Sequence, residues 1–203
     1  MGLFRKGDHS CYFIQIPRTG SRYVSSLFEN SDGVECKYHQ IEKQQYYDID
    51  ITHLHYPLYL HICPPNIPHL TIVRNPYERF MSAIRTMYWR CGINYDDLLK
   101  DEYDSEEFIF TEIVRNSSHN NWFKPQHKFI SPTTAVWKYE WGLGTNFIKW
   151  VYEKTKIKLN VEDVKYQKFS SENQEKIYMS RESQKNIKNF YKKDYAKFNY
   201  WRW

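Results

Sequence analysis

Residues 11–28 read CYFIQIPRTGSRYVSSLF, and the fold turns on this stretch. Tyr12 to Ile16 alternates apolar side chains and predicts a strand. Pro17 ends it. Arg18, Thr19, Gly20, Ser21 and Arg22 follow, and the spaced apolar residues of Ser21 to Phe28 predict a helix, closed by Asn30, Asp32 and Gly33. A strand that passes at once into a helix leaves the first backbone N–H groups of that helix without intrahelical partners, and the helix dipole adds positive potential there. Such a turn attracts an anion. Gly20 lets the backbone come close, Thr19 and Ser21 add hydroxyls, and Arg18 and Arg22 add charge and forked donors suited to phosphate or sulfate. The same residues also suit an ordinary basic strand-to-helix turn, and the Walker A pattern is absent.

A second stretch has the same form. HLTIVRNPYERFMSAI, residues 69–84, predicts a buried strand over His69–Val73, then Arg74, then a helix from Tyr77 to about Arg90 with Pro76 in its first turn. Arg74 stands at the strand end and Ser82 in the early helix. An arginine fork and a serine hydroxyl can converge on one phosphate. Otherwise Arg74 and Arg79 are surface partners for Glu78 and other carboxylates.

Outward from these two segments, Val34 to Tyr38 predicts a short strand and Ile49 to His55 a strand or its exit. ICPPNIP is irregular because its prolines cannot join a ladder. The acidic middle, from Asp96 to Glu112, predicts two short helices. Lys128–Ile130 and the AVWKYE stretch predict strands. NFIKWVYEKT and ESQKNIKNFYKKDYAKF predict amphipathic helices, the second closing the chain. There is no internal repeat and no low-complexity linker. The expectation is a single domain over residues 1–203, with 1–10 as an N-terminal extension. Strands alternating with helices predict an α/β fold of three layers, a central mostly parallel sheet with helices on both faces.

Composition narrows the classes. The 203 residues suffice for one substantial core. A net charge of +5 favours anionic partners but is too mild to indicate nucleic acid, and the acidic middle interrupts any continuous basic face. The 18 tyrosines and 7 tryptophans suit a core, a sugar-binding surface or both. No apolar run reaches membrane-spanning length, and the N-terminus lacks a secretory signal, so a cytoplasmic protein with no membrane partner is expected. Cys11, Cys36, Cys63 and Cys91 are scattered without metal-ligand spacing and read as reduced core thiols.

With both anion segments in view, a family resemblance emerges. FIQIPRTGSRYVSSLF resembles the 5′-phosphosulfate loop of sulfotransferases that use 3′-phosphoadenosine 5′-phosphosulfate (PAPS), and TIVRNPYERFMSAI resembles their 3′-phosphate segment. The carbohydrate branch, the sulfotransferase family 2-like group, is the most similar. HNNWFKPQHKFI, AVWKYEWGLGTNFIKWV and NFYKKDYAKFNY are similar to its later segments, in order. Arg18 stands where that family usually has lysine; it keeps the charge but is bulkier and never deprotonates.

The resemblance implies a P-loop-like nucleotide fold and transfer of a sulfuryl group from PAPS, without a metal, to a hydroxyl of a carbohydrate-type acceptor. It implies that Arg18, Thr19, Gly20, Ser21, Arg22 and Tyr23 hold the 5′ end of the donor and that Arg74 and Ser82 hold its 3′-phosphate. Arg18 would also stabilise the leaving oxygen. An acceptor hydroxyl needs a base, and histidine titrates in the right range. Of the histidines in THLHYPLYLH, His55 matches the family's segment and is the first choice. His53, on the same face if the segment is a strand, is second, and His61 third. His119 and Gln126 are candidates for acceptor contact. Lys165 and Lys168 read as solvated. Three rivals stay open: a magnesium-dependent P-loop kinase, a non-enzymatic nucleotide- or glycan-binding relative, and a tyrosine or small-alcohol sulfotransferase. The sequence leaves the oligomeric state unassigned.

Overall fold

The chain begins with a hairpin. β1 (Gly2–Lys6) and β2 (His9–Ile14) pair antiparallel, with Lys6 opposite His9. The two-residue turn between them starts at Gly7, whose φ of 56° is open to glycine at no steric cost. Residues expected as an N-terminal extension therefore supply a strand. Short alternating runs joined by a Gly-Asp pair are a hairpin signal, and here it is carried by GLFRKGDHS. β3 (Glu35–Lys37) adds antiparallel to β1, while β4 (His69–Val73) and β5 (Ala135–Lys138) add in parallel on the far side of β2. The sheet order is β3-β1-β2-β4-β5. This is an α/β fold with a mixed five-stranded sheet, not the mostly parallel one expected, because β1 pairs antiparallel on both of its sides, with β2 and with β3.

The computed structural model describes residues 2–38, 53–64, 66–91, 121–160 and 180–200, with the backbone alone for 87–91. The two helices expected in the acidic middle lie outside these residues, as does 49–52 of the expected strand; residues 53–55 form no strand. The helices are α1 (Ser21–Glu29), α2 (Pro76–Cys91), α3 (Thr145–Thr155), α4 (Arg181–Phe190) and α5 (Lys192–Lys197). Two further expectations are corrected. Lys128–Ile130 is not a strand, since a 3-10 turn runs over Gln126–Lys128. The closing helix is two, broken at Tyr191, where a buried phenol is held by the Phe123 carbonyl.

The chain divides into two compact units, Met1–Arg74 with Lys128–Phe169, and Asn75–His127 with Ser170–Trp203. The chain passes between them repeatedly, which is why no linker marks the division in the sequence.

The first unit holds the sheet. Cys11 and Phe13 of β2, Leu70 and Ile72 of β4, and Phe4 of β1 bury one face under Val24, Leu27 and Phe28 of α1 and Phe147 and Val151 of α3. Phe4 stacks on Phe28 with ring centroids 4.0 Å apart. Burial of a side chain such as Phe28 contributes about 2–3 kcal/mol. On the other face, Tyr12 and His69 sit opposite each other across β2 and β4, and Tyr59 packs on both. In the second unit α2 packs against α4, and Phe80, Phe123 and Tyr191 form an edge-to-face aromatic cluster.

Candidate functional site

β2, β4 and β5 are parallel neighbours, so their carboxyl ends lie along one edge of the sheet. Ligands of open α/β sheets gather at this edge. Here it carries the Gln15–Gly20 loop after β2, Arg74 after β4 and Tyr139 after β5.

The loop is tightly formed. Arg18 and Gly20 both take left-handed conformations, with φ of 68° and 86°. Arg18 is not glycine, so its conformation stores strain of about 1–2 kcal/mol. Gly20 is the N-cap of α1; it has no side chain to cap the first turn, and that turn holds no acid. A Cβ on Gly20 would stand 3.0 Å from Leu143 Cδ1 and 3.2 Å from Tyr139 Cε2, so any other residue would push on both side chains as well as strain the backbone. Thr19 is fully buried and its hydroxyl donates to the Ile16 carbonyl at 2.8 Å. That proton serves the loop itself, so the hydroxyl donor expected for an anion is already committed there. Gln15 Nε2 donates to Ser25 Oγ at 2.6 Å, bracing the strand exit against α1. Ser21 is buried, Arg22 is exposed, and Tyr23 packs against the apolar core.

Arg74 is half-buried, and its guanidinium lies over the Tyr139 ring, 4.8 Å from the centroid.

The histidines divide. His53 Nδ1 is 2.7 Å from the Gln15 carbonyl oxygen. A carbonyl only accepts, so Nδ1 carries the hydrogen and Nε2 of the neutral ring is an acceptor. This anchors His53 at the root of the loop. His55 stands edge-on to Phe129, with centroids 6.5 Å apart. The alternation that placed the two histidines on one face does not apply, because the segment is not a strand. His61 is exposed at the end of a 3-10 turn over Leu58–His61, which is anchored by the buried Tyr59.

The second unit contains Ser82, buried in α2, and Gln126, which is 0% exposed. His119 lies outside the described residues. Sequence reasoning missed two groups here. Asp194, fully buried, accepts the backbone N–H of Gln126 at 2.7 Å, that of His127 at 2.8 Å and His127 Nδ1 at 2.6 Å. Arg79, far from being a surface partner of Glu78, is fully buried and donates to the Trp122 and Lys124 carbonyls, both at 2.7 Å. The PQHKFI and KKDYAKF segments are therefore joined by one carboxylate. The sequence signal was a lone acid in an otherwise basic and aromatic closing segment.

No protein-family profile, curated protein or solved structure matches the chain. Fold and site together define an α/β protein with a candidate anion site at the carboxyl edge of three parallel strands. Among the described residues, no helix is long and apolar enough to cross a membrane.

Proposed function

We propose that this chain is a PAPS-dependent sulfotransferase acting on a hydroxyl of a carbohydrate-type acceptor, built on a three-layer, P-loop-like sheet. One observation carries the reading: Arg18 with Gly20, and Arg74, stand at the exits of two adjacent parallel strands, β2 and β4. A donor with a sulfated 5′-phosphate and a separate 3′-phosphate needs two such anion sites side by side. The crowded, left-handed position of Gly20 supports the fit, since backbone N–H groups must come close to the 5′ end.

In this reading the loop N–H groups and Arg18 receive the charge that builds on the bridging oxygen as the sulfur–oxygen bond to the phosphate breaks. A new bond forms from the acceptor oxygen to sulfur, and the acceptor proton passes to Nε2 of a histidine. The hydrogen bond to Gln15 favours His53 for that role over His55. Thr19 holds the loop shape through Ile16 rather than touching the donor. The resemblance also gives Ser82 to the 3′-phosphate; Ser82 belongs to the second unit, and its part is tested by substitution.

The test is calorimetry with adenosine 3′,5′-bisphosphate. Binding that is weakened in Arg18→Ala, Arg74→Ala and Ser82→Ala supports the proposal. No binding, or binding indifferent to all three changes, overturns it. A labelled-PAPS screen across oligosaccharides, lipids, small alcohols and tyrosine peptides then identifies the acceptor class. Magnesium-dependent ATP turnover would replace the reading with a kinase.

A further inference from the structure

We infer that Tyr139 is a positioning residue that yokes the phosphosulfate loop to Arg74, so that the two anion grips meet one doubly anionic ligand at a fixed spacing. The inference rests on the nucleotide reading above and assigns a role to a residue outside the predicted anion motifs.

Tyr139 directly follows β5 and opens a 3-10 turn over Tyr139–Trp141. One edge of its ring lies against the loop: a Cβ on Gly20 would be 3.2 Å from Cε2 and 3.4 Å from Cδ2. The ring face carries the Arg74 guanidinium, 4.8 Å from the centroid. The same ring therefore touches the exits of both β2 and β4.

The ring is also firmly mounted. Its carbonyl accepts the Gly142 N–H at 3.0 Å, closing the turn. The Gly142 carbonyl accepts from Trp137 Nε1 at 2.9 Å. Trp137 is packed edge-on against Phe147, with centroids 5.7 Å apart, and Phe147 is fully buried in the core. Leu143, from the same connection, lines the same spot, its Cδ1 3.0 Å from where a Cβ on Gly20 would stand.

An arginine side chain that must order itself on gripping a phosphate loses rotamer freedom. A ring that already holds the guanidinium removes part of that loss, and it does so only for ligands that reach Arg74. Tyr139 thus sets selectivity for a 3′,5′-bisphosphate over a 5′-monophosphate, not affinity for phosphate in general.

Tyr139→Leu separates these roles. Leucine keeps an apolar wall beside Gly20 but offers no π face to Arg74. Calorimetry is run with adenosine 3′,5′-bisphosphate and with adenosine 5′-monophosphate, alongside a thermal melt. The expected result is a loss of about tenfold for the bisphosphate, between the exposed and the desolvated values of a cation–π contact as suits half-buried Arg74, with the monophosphate unchanged within about twofold. Tyr139→Phe, which keeps the ring, binds both ligands like the natural chain. In an Arg74→Ala background, Tyr139→Leu costs no further affinity, because the coupled partner is gone. Equal loss for both ligands, no loss for either, or full additivity with Arg74→Ala overturns the inference. If Tyr139→Leu does not fold, Tyr139→Met is measured against the same criteria. A natural chain that binds neither nucleotide sinks the nucleotide reading itself; binding that Tyr139→Leu leaves untouched sinks only the yoke.

Discussion

His53 Nδ1 stands 2.7 Å from the carbonyl oxygen of Gln15, one residue beyond the end of β2. The contact ties an imidazole to the root of the anion loop and fixes which nitrogen is the acceptor. If His53 takes the acceptor's proton, His53→Ala lowers turnover by about a hundredfold or more, while adenosine 3′,5′-bisphosphate binds as before. His55→Ala, which removes a ring resting against Phe129, leaves turnover within a few fold. The reverse ranking would return the role to His55.

Gly20 and Gly33 form a matched pair of tests. Both are left-handed, with φ of 86° and 67°, but only Gly20 has neighbours that a Cβ would meet. Gly33→Ala therefore costs about 1 kcal/mol for conformation alone. Gly20→Ala adds displacement of Leu143 and Tyr139 and costs about 2–3 kcal/mol, together with loss of nucleotide affinity. Urea denaturation and calorimetry read the two effects; equal costs at both positions would show that the close approach is unimportant.

Asp194 holds three donors in the interior of the second unit. Asp194→Ala strands the N–H groups of Gln126 and His127 and removes the partner of the His127 imidazole. The expected cost is about 3 kcal/mol. Asp194→Asn keeps one accepting oxygen and falls between. His127→Ala, which leaves both backbone bonds in place, costs about 1 kcal/mol. Urea midpoints that do not follow this order would mean the carboxylate is not the clasp it resembles.

The thiols of the first unit are predicted to be slow to react. Burial pushes Cys63 up to about 11 and does most of the same to Cys36, also about 11, where Glu29 adds to the rise. Cys11 is pushed higher still, by burial first. At pH 8 an unperturbed thiol is roughly one quarter ionised, whereas one near 11 is ionised to about one part in a thousand. Iodoacetamide labelling read by peptide mass spectrometry should be about two orders of magnitude slower at these positions in the folded chain than in urea. Fast labelling of Cys63 under native conditions would contradict its burial.

The sequence carried the parts of this fold that depend on neighbours in the chain. Ser21–Glu29 forms a helix because its apolar residues recur at helical spacing after a glycine that turns freely. His69–Val73 is a short β-prone run in which Leu70, Ile72 and Val73 outweigh His69 and Thr71, and all five residues are buried. The loop and Arg74 were legible for the same reason: strand, turn and helix are contiguous. What was not legible depends on distant pairing. The strand at Gly2–Lys6 is the exception, a local hairpin whose Gly-Asp signal the sequence does carry but which a short polar-looking start obscured. Arg79 read as a surface charge because its carbonyl partners, Trp122 and Lys124, lie about forty residues away. Tyr139 could not be placed beside Gly20 without the parallel order of β2, β4 and β5.

His69 makes the stability of the first unit pH-dependent. It is buried on β4, with Nε2 3.2 Å from Cys63 Sγ and its ring edge-on to Tyr12 and Tyr59. Cys63, pushed up to about 11 by burial, is a neutral thiol whose Sγ lies within hydrogen-bond reach of both the Pro64 carbonyl, at 3.4 Å, and His69 Nε2. Burial lowers the His69 pKa below its ordinary value. The unfolded chain, with histidine near 6.5, then binds more protons than the folded one between the two values. The contribution of His69 is fully present above about pH 6.5 and is lost as pH falls toward the folded pKa. Urea midpoints measured from about pH 7.5 down to pH 5 should fall across that window, and His69→Phe, which fills the site without a titrating group, should remove this part of the slope. His69→Phe will be less stable near neutrality, because the Cys63 hydrogen bond is gone, so the slope and not the midpoint is the readout. A slope unchanged in His69→Phe would assign the acid sensitivity to other groups and leave the buried imidazole without a titrating role.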